Sequence, residues 1–113
     1  MLEQIQEAGD YISSKIKEIP KFGVILGSGL GPFADQLASP VSIPFEKIPH
    51  FPVSTVEGHD GKMVIGKFEQ TPVMVLQGRF HYYEGYGMDQ VVFPVRCMKY
   101  LNMPNLIVTN AAG

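Results

Sequence analysis

The sequence predicts an α/β protein with a mixed central β-sheet flanked by helices. Amphipathic helical patterns lie near both ends of the chain, and short apolar runs with the length of buried strands lie between and after them. Two of these runs are separated by only two residues, which favours an antiparallel hairpin. Another run is entirely apolar, which is typical of a parallel strand covered on both faces. The 113 residues are enough for one domain.

Two longer helices and one short helical segment are predicted. In the first helix, apolar residues recur at steps of three and four with charged residues between them, and the helix ends before Pro20. A short helical segment follows a glycine-rich turn and extends to about Leu37. The last helix covers residues 91–101, and Pro94 must lie in its first turn or kink it. The periodic residues of the first helix are Leu2, Ile5, Gly9, Ile12, Ile16 and Ile19.

Five short apolar segments are predicted strands, and the stretch from Ile48 to Gly61 is predicted to be mostly loop. Two of the strands form a hairpin with Glu69 and Gln70 at its turn. The last strand is expected to be a central parallel strand. The strands span residues 22–26, 41–45, 62–68, 71–76 and 106–108.

Composition and charge argue against several classes of partner. The net charge of −2 disfavours nucleic acid or an anionic membrane. No apolar run approaches the roughly 18 residues that a membrane-spanning helix needs, and the N-terminus lacks the apolar core of a signal peptide. The single cysteine, Cys97, excludes an internal disulfide, fits a reducing compartment and lies in an apolar helical stretch that indicates a packing role. We therefore expect a cytoplasmic protein.

The densest chemistry lies in residues 78–86, which read Gly-Arg-Phe-His-Tyr-Tyr-Glu-Gly-Tyr. The guanidinium of Arg79 can bind an oxyanion through two charge-assisted hydrogen bonds, and His81 can donate to the same anion. The tyrosines offer flat faces with hydroxyl groups, which suit a polyhydroxylated ring. The segment therefore indicates a pocket for an anion beside such a ring. The alternative is a surface turn whose aromatic side chains cover an edge of the core.

Residues 27–31, Gly-Ser-Gly-Leu-Gly, lie between a predicted strand and the start of a helix. Glycines let the backbone approach a phosphate closely, and helix-start amides together with the Ser28 hydroxyl can donate hydrogen bonds to it. The Gly-Lys-Ser/Thr ending of a Walker loop is absent. An alternative is a dinucleotide-binding fold in which Glu46, after the next strand, binds a ribose.

Two further segments carry candidate ligand-binding groups. His59 lies in the loop Glu-Gly-His-Asp-Gly, where it is placed for binding or, alternatively, caps a turn. Residues 109–113, Thr-Asn-Ala-Ala-Gly, follow the last strand, where open α/β sheets bind ligands; small residues there admit a ligand to the backbone or simply pack tightly. His50 is interpreted as structural. His81 and Glu84 lack a second pair of metal ligands, so we expect no metal site.

In their order and spacing, these motifs resemble the trimeric purine nucleoside phosphorylases that prefer 6-oxopurine nucleosides. The resemblance covers the whole chain, and its Gly-Arg-Phe-His motif is highly specific. The related methylthioadenosine phosphorylases usually differ in the Gly-Ser-Gly and Arg-Phe-His segments and are the second alternative. The matching motifs lie at residues 27–31, 58–59, 78–86, 93–96 and 109–113.

The resemblance implies a phosphorylase/nucleoside hydrolase-like α/β/α fold and a pentosyltransferase activity. Inorganic phosphate would attack C1′ of a purine ribonucleoside or deoxyribonucleoside, such as inosine or guanosine, and release the free base and (deoxy)ribose 1-phosphate with inversion. Catalysis would be assigned to His81 and Glu84, of which Glu84 orients donors near the phosphate. Tyr83 would contact the ribose. The residues that would bind phosphate are Ser28, His59, Arg79, His81 and, through its backbone N–H, Ala111.

The family's purine-recognising residues lie beyond residue 113. The resemblance therefore implies that residues 1–113 are the N-terminal part of a single nucleoside phosphorylase domain whose remainder is absent, so that the sheet is incomplete and the chain alone is inactive. The complete protein is expected to be a homotrimer that binds purine nucleoside and phosphate. It would need no cofactor, since phosphate is a co-substrate, and would bind neither nucleic acid nor membrane. A short phosphate- or nucleoside-binding module without catalytic activity is the alternative outside the enzymes.

Overall fold

A computed structural model describes residues 1–26, 32–51, 61–77 and 88–108, with the side chains of residues 88–91 and 108 excluded. It contains a sheet with helices on both faces, which confirms the predicted fold class. Within the described residues, no helix is long and apolar enough to cross a membrane. The elements are α1 Leu2–Ser14, β1 Phe22–Ile25, α2 Pro32–Asp35, β2 Ala38–Pro44, a 3-10 turn Phe45–Lys47, β3 Lys62–Phe68, β4 Thr71–Gln77, α3 Met88–Tyr100 and β5 Asn105–Val108.

The five described strands form one mixed sheet in the order β2-β3-β4-β1-β5. The strands β4, β1 and β5 run parallel, whereas β3 is antiparallel to both of its neighbours, β2 and β4. The predicted parallel direction of β5 is confirmed, but its predicted central position is wrong within the described sheet, where β5 is an edge strand. Two successive side chains of β5, Leu106 and Ile107, are 41% and 45% exposed, so this edge is open on both faces.

Alternate residues along the strands divide the core between the two faces of the sheet. On the face that we call the α1/α3 face, α1 and α3 pack against buried strand residues that include Met74 and Leu76. On the opposite face, the α2 face, Ala34 of α2 packs against Val24 and Val75. This alternation follows from the pleat of the strands, in which successive side chains point to opposite sides.

Helix α1 ends at Ser14, earlier than predicted. The Ser14 hydroxyl donates to the Tyr11 carbonyl at 2.6 Å, and the Lys15 N–H donates to the Ile12 carbonyl at 3.0 Å. Because these hydrogen bonds between residues three apart satisfy the last carbonyl groups, the helix ends well before Pro20. The spacing of apolar residues still predicts the buried face correctly at the centre of the helix, where Ile5, Gly9 and Ile12 are buried.

The start of α1 and the segment between α1 and β1 do not follow the predicted pattern as closely. Leu2 is 65% exposed, and Ile19 lies after the helix and is 40% exposed. His50, which we interpreted as structural, donates a hydrogen bond from its Nε2 to the Glu7 carboxylate at 2.8 Å. That contact links α1 to the residues after the 3-10 turn, and the side chains involved are well exposed, so its contribution to stability is small.

Helices α1 and α3 approach closely at Gly9. A side chain in place of the Gly9 hydrogen would collide with the ring of Tyr100 on α3. The Tyr100 hydroxyl donates to the Asp10 carboxylate at 2.9 Å, and this hydrogen bond raises the pKa of the phenol. The absence of a side chain at position 9 therefore brings the two helices together and places a polar contact at the rim of their interface.

Helix α3 begins at Met88, so Pro94 lies inside it and not in its first turn. This position removes the N–H that would donate to the carbonyl one turn earlier. Pro94 and Cys97 are fully buried, and Met98 on the same helix is buried as well. Burial of this apolar face against the sheet offsets the lost hydrogen bond, which is why the helix continues through the proline.

The predicted hairpin between β3 and β4 is confirmed, with Glu69 and Gln70 at its turn. Both residues have positive φ, 50° and 78°, which is the arrangement of a two-residue hairpin turn that matches the twist of the strands. Neither is a glycine or an asparagine, the residue types that tolerate this conformation. The turn is therefore strained, and the strands hold it in place.

Replacement of this turn by Asn-Gly, with Glu69→Asn and Gln70→Gly, is expected to raise the free energy of unfolding by about 1 kcal/mol. Both side chains are exposed, so the change removes no core contact. The measurement is urea unfolding of the product of the complete reading frame. Glu69→Ala is the control, because it removes the charge and keeps the strain. Equal or lower stability of the Asn-Gly variant would contradict a strained turn.

Candidate functional site

The carboxyl ends of three adjacent strands meet at one edge of the sheet. β1 lies between β4 and β5, and the three strands are parallel. Ile25 is in register with both Leu76 and Val108, so the strands end level with one another. Just past β1, the Leu26 N–H donates to the Leu76 carbonyl at 3.1 Å. We call this the carboxyl edge, the edge at which open α/β sheets bind ligands.

All the segments that contain sequence-predicted site residues join the described chain at the carboxyl edge. Three of them continue directly from the ends of the parallel strands. The fourth enters through β3, which begins at this edge because Lys62 pairs with Gln77 in the antiparallel hairpin. The segments are residues 27–31 after β1, 52–60 before β3, 78–87 after β4 and 109–113 after β5.

The predicted site residues themselves lie outside the described residues. The structure therefore locates the strand ends from which they continue, and the roles of their side chains stay predictions. His81 and Glu84, for which the sequence predicts no metal site, also lie outside the described residues, so that expectation stays a prediction. The residues concerned are Ser28, His59, Arg79, His81, Tyr83, Glu84 and the backbone of Ala111.

An aromatic cluster fixes where the segment with His59 leaves and rejoins the described chain. Phe45 packs against Phe51 with ring centroids 5.4 Å apart, and Phe51 meets Phe93 of α3 edge-on at 6.0 Å. The Phe45 N–H also donates to the Gly61 carbonyl at 3.0 Å, and a side chain at Gly61 would collide with the Phe45 ring. Phe51 and Gly61, which flank residues 52–60, are therefore both held on Phe45.

Sequence reasoning missed Gln77, the last residue of β4. Its side-chain oxygen, Oε1, is buried and has no hydrogen-bond partner among the described residues. Opposite it in the hairpin lies Lys62, which is exposed and places a positive charge at the carboxyl edge. The signal in the sequence was a polar residue that ends a buried strand immediately before the Gly-Arg-Phe-His motif.

Away from the carboxyl edge, the described residues contain neither a reactive thiol nor a cluster of metal ligands. Cys97 is buried, as predicted for a packing residue, and burial raises the pKa of its thiol to about 12. The thiol is therefore protonated at neutral pH and is a poor nucleophile. Within residues 1–26, 32–51, 61–77 and 88–108, no group of three or more histidine, cysteine, aspartate or glutamate residues could hold a metal ion.

The dinucleotide-binding alternative is wrong. That fold places the ribose-binding acid at the end of a parallel strand next to β1. Here the neighbours of β1 are β4 and β5, whereas β2 pairs only with β3, at the far edge of the described sheet. Glu46 lies in the 3-10 turn after β2, exposed and separated from β1 by two strands.

Residues 21–113 match the family model described as the phosphorylase superfamily. The chain belongs to the phosphorylase superfamily. The match begins one residue before β1 and includes every described strand and each segment that joins the carboxyl edge. Helix α1 is the described element that precedes it.

Within this superfamily, the chain is similar to purine nucleoside phosphorylases, which confirms the predicted resemblance. It is 55% identical to purine nucleoside phosphorylase 1 of Bacillus subtilis (strain 168) over 113 residues, which are 100% of the chain and 42% of the relative. A crystal structure of a purine nucleoside phosphorylase in complex with ribose-1-phosphate is 44% identical and superposes with a TM-score of 0.90 over 99% of the chain and 41% of the solved chain.

A crystal structure of Schistosoma mansoni purine nucleoside phosphorylase in complex with inosine gives the same result. It is 41% identical and has a TM-score of 0.89, with 99% of this chain and 39% of the solved chain covered. The chain thus spans about two fifths of the length of the relatives that it matches.

Proposed function

We propose that the complete protein containing this chain is a purine nucleoside phosphorylase, a pentosyltransferase that cleaves purine nucleosides with phosphate. The single observation that carries the proposal is the convergence of four motif-bearing segments on the carboxyl edge. Similarity to a phosphorylase crystallised with ribose-1-phosphate, and to another crystallised with inosine, supports the choice of substrates.

The phosphate site is built from the ends of adjacent parallel strands. Ser28 follows β1, Arg79 and His81 follow β4, and the backbone N–H of Ala111 follows β5. Since β1 lies between β4 and β5, donors from the three segments can converge on one anion. His59, from the segment held on Phe45, closes over the phosphate. These groups donate hydrogen bonds, and the guanidinium of Arg79 also balances the anion's charge.

The reaction joins a phosphate oxygen to C1′ of the ribose and breaks the bond from C1′ to the purine nitrogen. The electron pair of that bond leaves with the base, and the ribose carries positive charge in the transition state. Phosphate fixed beneath C1′ stabilises this charge, and Tyr83 contacts the ribose to hold it in line. Glu84 orients donors around the phosphate, so that His81 and the other donors need not reorganise as the reaction proceeds.

Holding both substrates at one site also removes much of the entropic cost of their encounter. The proposed reaction needs no cofactor, since phosphate is itself a substrate. The assembly proposed for the complete protein is a homotrimer in the cytoplasm, with neither nucleic acid nor membrane as a partner. The net charge of −2 on the 113 residues of this chain supports the last point.

The decisive experiment measures hypoxanthine release from inosine, with and without phosphate, by the product of the complete reading frame. Phosphate-dependent release is expected, accompanied by ribose 1-phosphate detected by ³¹P NMR. Equal release without phosphate would indicate hydrolysis and overturn the proposal. Release from methylthioadenosine but not from inosine would favour the methylthioadenosine phosphorylases, and phosphate binding without any base release would favour a binding module.

A further inference from the structure

The four-residue turn that follows the 3-10 turn contains a residue that its backbone conformation disfavours. The Phe51 N–H donates to the Ile48 carbonyl at 3.2 Å and closes this turn. Pro49 occupies the second position of the turn, and His50, with a φ of 66°, occupies the third. Proline at the second position and positive φ at the third are typical of a type II turn, which favours glycine or asparagine at the third position. Local turn chemistry therefore does not explain His50.

A contact with another element explains the histidine. His50 Nε2 donates to the Glu7 carboxylate of α1 at 2.8 Å, across 43 positions of the sequence. Glycine would adopt the turn without strain but has no side chain with which to reach α1, and the side chain of asparagine is shorter than that of histidine. The contact with α1 is what histidine adds at this position, and it offsets the cost of the left-handed conformation.

The turn also directs Phe51 into the core. Phe51 is 6% exposed and packs against Phe45 and Phe93 in the aromatic cluster. The His50 and Glu7 side chains are 36% and 62% exposed, so their contact adds little to the free energy of unfolding. Local opening of a surface turn, however, costs far less free energy than unfolding of the whole protein. A contact of this size therefore changes measurably how often the turn opens and releases Phe51.

We propose that His50 is a positioning residue, whose hydrogen bond to Glu7 holds the turn closed, so that the chain continues from a fixed Phe51 into residues 52–60 and phosphate binding is favoured. This inference rests on the proposed function, because that function assigns His59 of this segment to phosphate. It also gives α1, which precedes the residues that match the family model, a part in organising the site.

Hydrogen–deuterium exchange of the Phe51 N–H, followed by mass spectrometry in the product of the complete reading frame, measures opening of the turn. Glu7→Ala removes the acceptor and is expected to raise this exchange rate about threefold, the effect of losing one exposed pair. Glu3→Ala removes the same group from an exposed position one turn earlier in α1 and should leave the rate unchanged. The control amide is the Asn102 N–H, which donates to the Lys99 carbonyl at 2.9 Å at the end of α3.

A second substitution separates the contact from a general loosening of the helix. His50→Gly removes the contact but also relieves the strained turn, so the Phe51 N–H should exchange within about twofold of its rate in the unchanged protein. Addition of Glu7→Ala to His50→Gly should then have no further effect, because the group that Glu7 contacts is already absent. An equal effect of Glu7→Ala in both backgrounds, or no effect in either, would overturn the inference.

Inorganic phosphate supplies the readout that a merely structural contact would not affect. If phosphate binds only when the turn is closed, phosphate at about ten times its Kd should slow exchange of the Phe51 N–H about tenfold and leave exchange of the Asn102 N–H unchanged. Phosphate that binds without slowing exchange at Phe51 would overturn the positioning role and leave the proposed function standing. If phosphate slows this exchange but inosine releases no hypoxanthine, the proposed reaction fails and the positioning role stands. If no phosphate binds, both fail.

Discussion

Arg79→Ala is expected to lower kcat/KM for phosphate by about 10²–10³-fold in the product of the complete reading frame. Arg79 follows the end of β4 by two residues, at the carboxyl edge where β4, β1 and β5 end level. A guanidinium that grips phosphate with two hydrogen bonds balances charge and fixes the direction of attack, and water replaces neither contribution. Initial rates at varied phosphate and saturating inosine give the value.

Two variants make this result specific. Arg79→Lys keeps the charge but loses the paired geometry, so its rate should lie between those of the unchanged protein and Arg79→Ala. Arg96→Ala removes the same side chain from an exposed position on α3 and should leave the rate unchanged. An Arg79→Ala variant that turns over phosphate at the unchanged rate would remove Arg79 from the site, whatever the similarity of the sequence to known phosphorylases.

Leu76→Ala is expected to lower the free energy of unfolding by about 2–5 kcal/mol. Leu76 is fully buried in β4, in register with Ile25 of β1 and Met63 of β3, and packs in the core of the α1/α3 face. Removal of its side chain leaves a cavity between parallel and antiparallel halves of the sheet that neighbouring strands cannot close. Urea unfolding of the product of the complete reading frame measures the change.

The matched substitution Leu2→Ala tests whether burial is the cause. Leu2 begins α1 and is 65% exposed, so the same loss of atoms should change the stability by no more than about 0.5 kcal/mol. Similar losses for the two variants would show that Leu76 does not lie in a packed core. Because β4 also positions the Gly-Arg-Phe-His segment, we further expect reduced phosphorolysis by Leu76→Ala near its lowered Tm.

The local sequence pattern was sufficient to predict secondary structure where residues that are close in the sequence are also close in space. The hairpin of β3 and β4 was predicted with its turn at Glu69 and Gln70, because two alternating apolar runs separated by two residues can pair in one way. The buried face of α1 was also correct at its centre, since the 3.6-residue period identifies one side of a helix. The predicted end of α1 was wrong because hydrogen bonds to the last carbonyl groups determine where the helix ends. The spacing of apolar residues does not reveal such hydrogen bonds.

For the same reason, the sequence predicted only some of the residues at the carboxyl edge. Residues such as Ser28, Arg79 and His81 were recognisable because their motifs have characteristic chemistry and order in the sequence. Gln77 was missed, because an isolated glutamine at the end of a strand has no motif and its significance lies in the burial of one oxygen. The sequence alone could not exclude a dinucleotide-binding fold, which was excluded only when the structure showed which strands lie beside β1.

The sequence by itself determined the type of each main element, the hairpin, the segments that carry anion-binding chemistry and the resemblance to purine nucleoside phosphorylases. Only the tertiary structure decided that β1 lies between β4 and β5, and hence that the motif-bearing segments leave from one edge. Strand order depends on contacts between residues far apart in the chain, such as Val24 with Val75 and Ile107. Local periodicity records which side of a strand is buried, but it contains no information about which strand lies beside it.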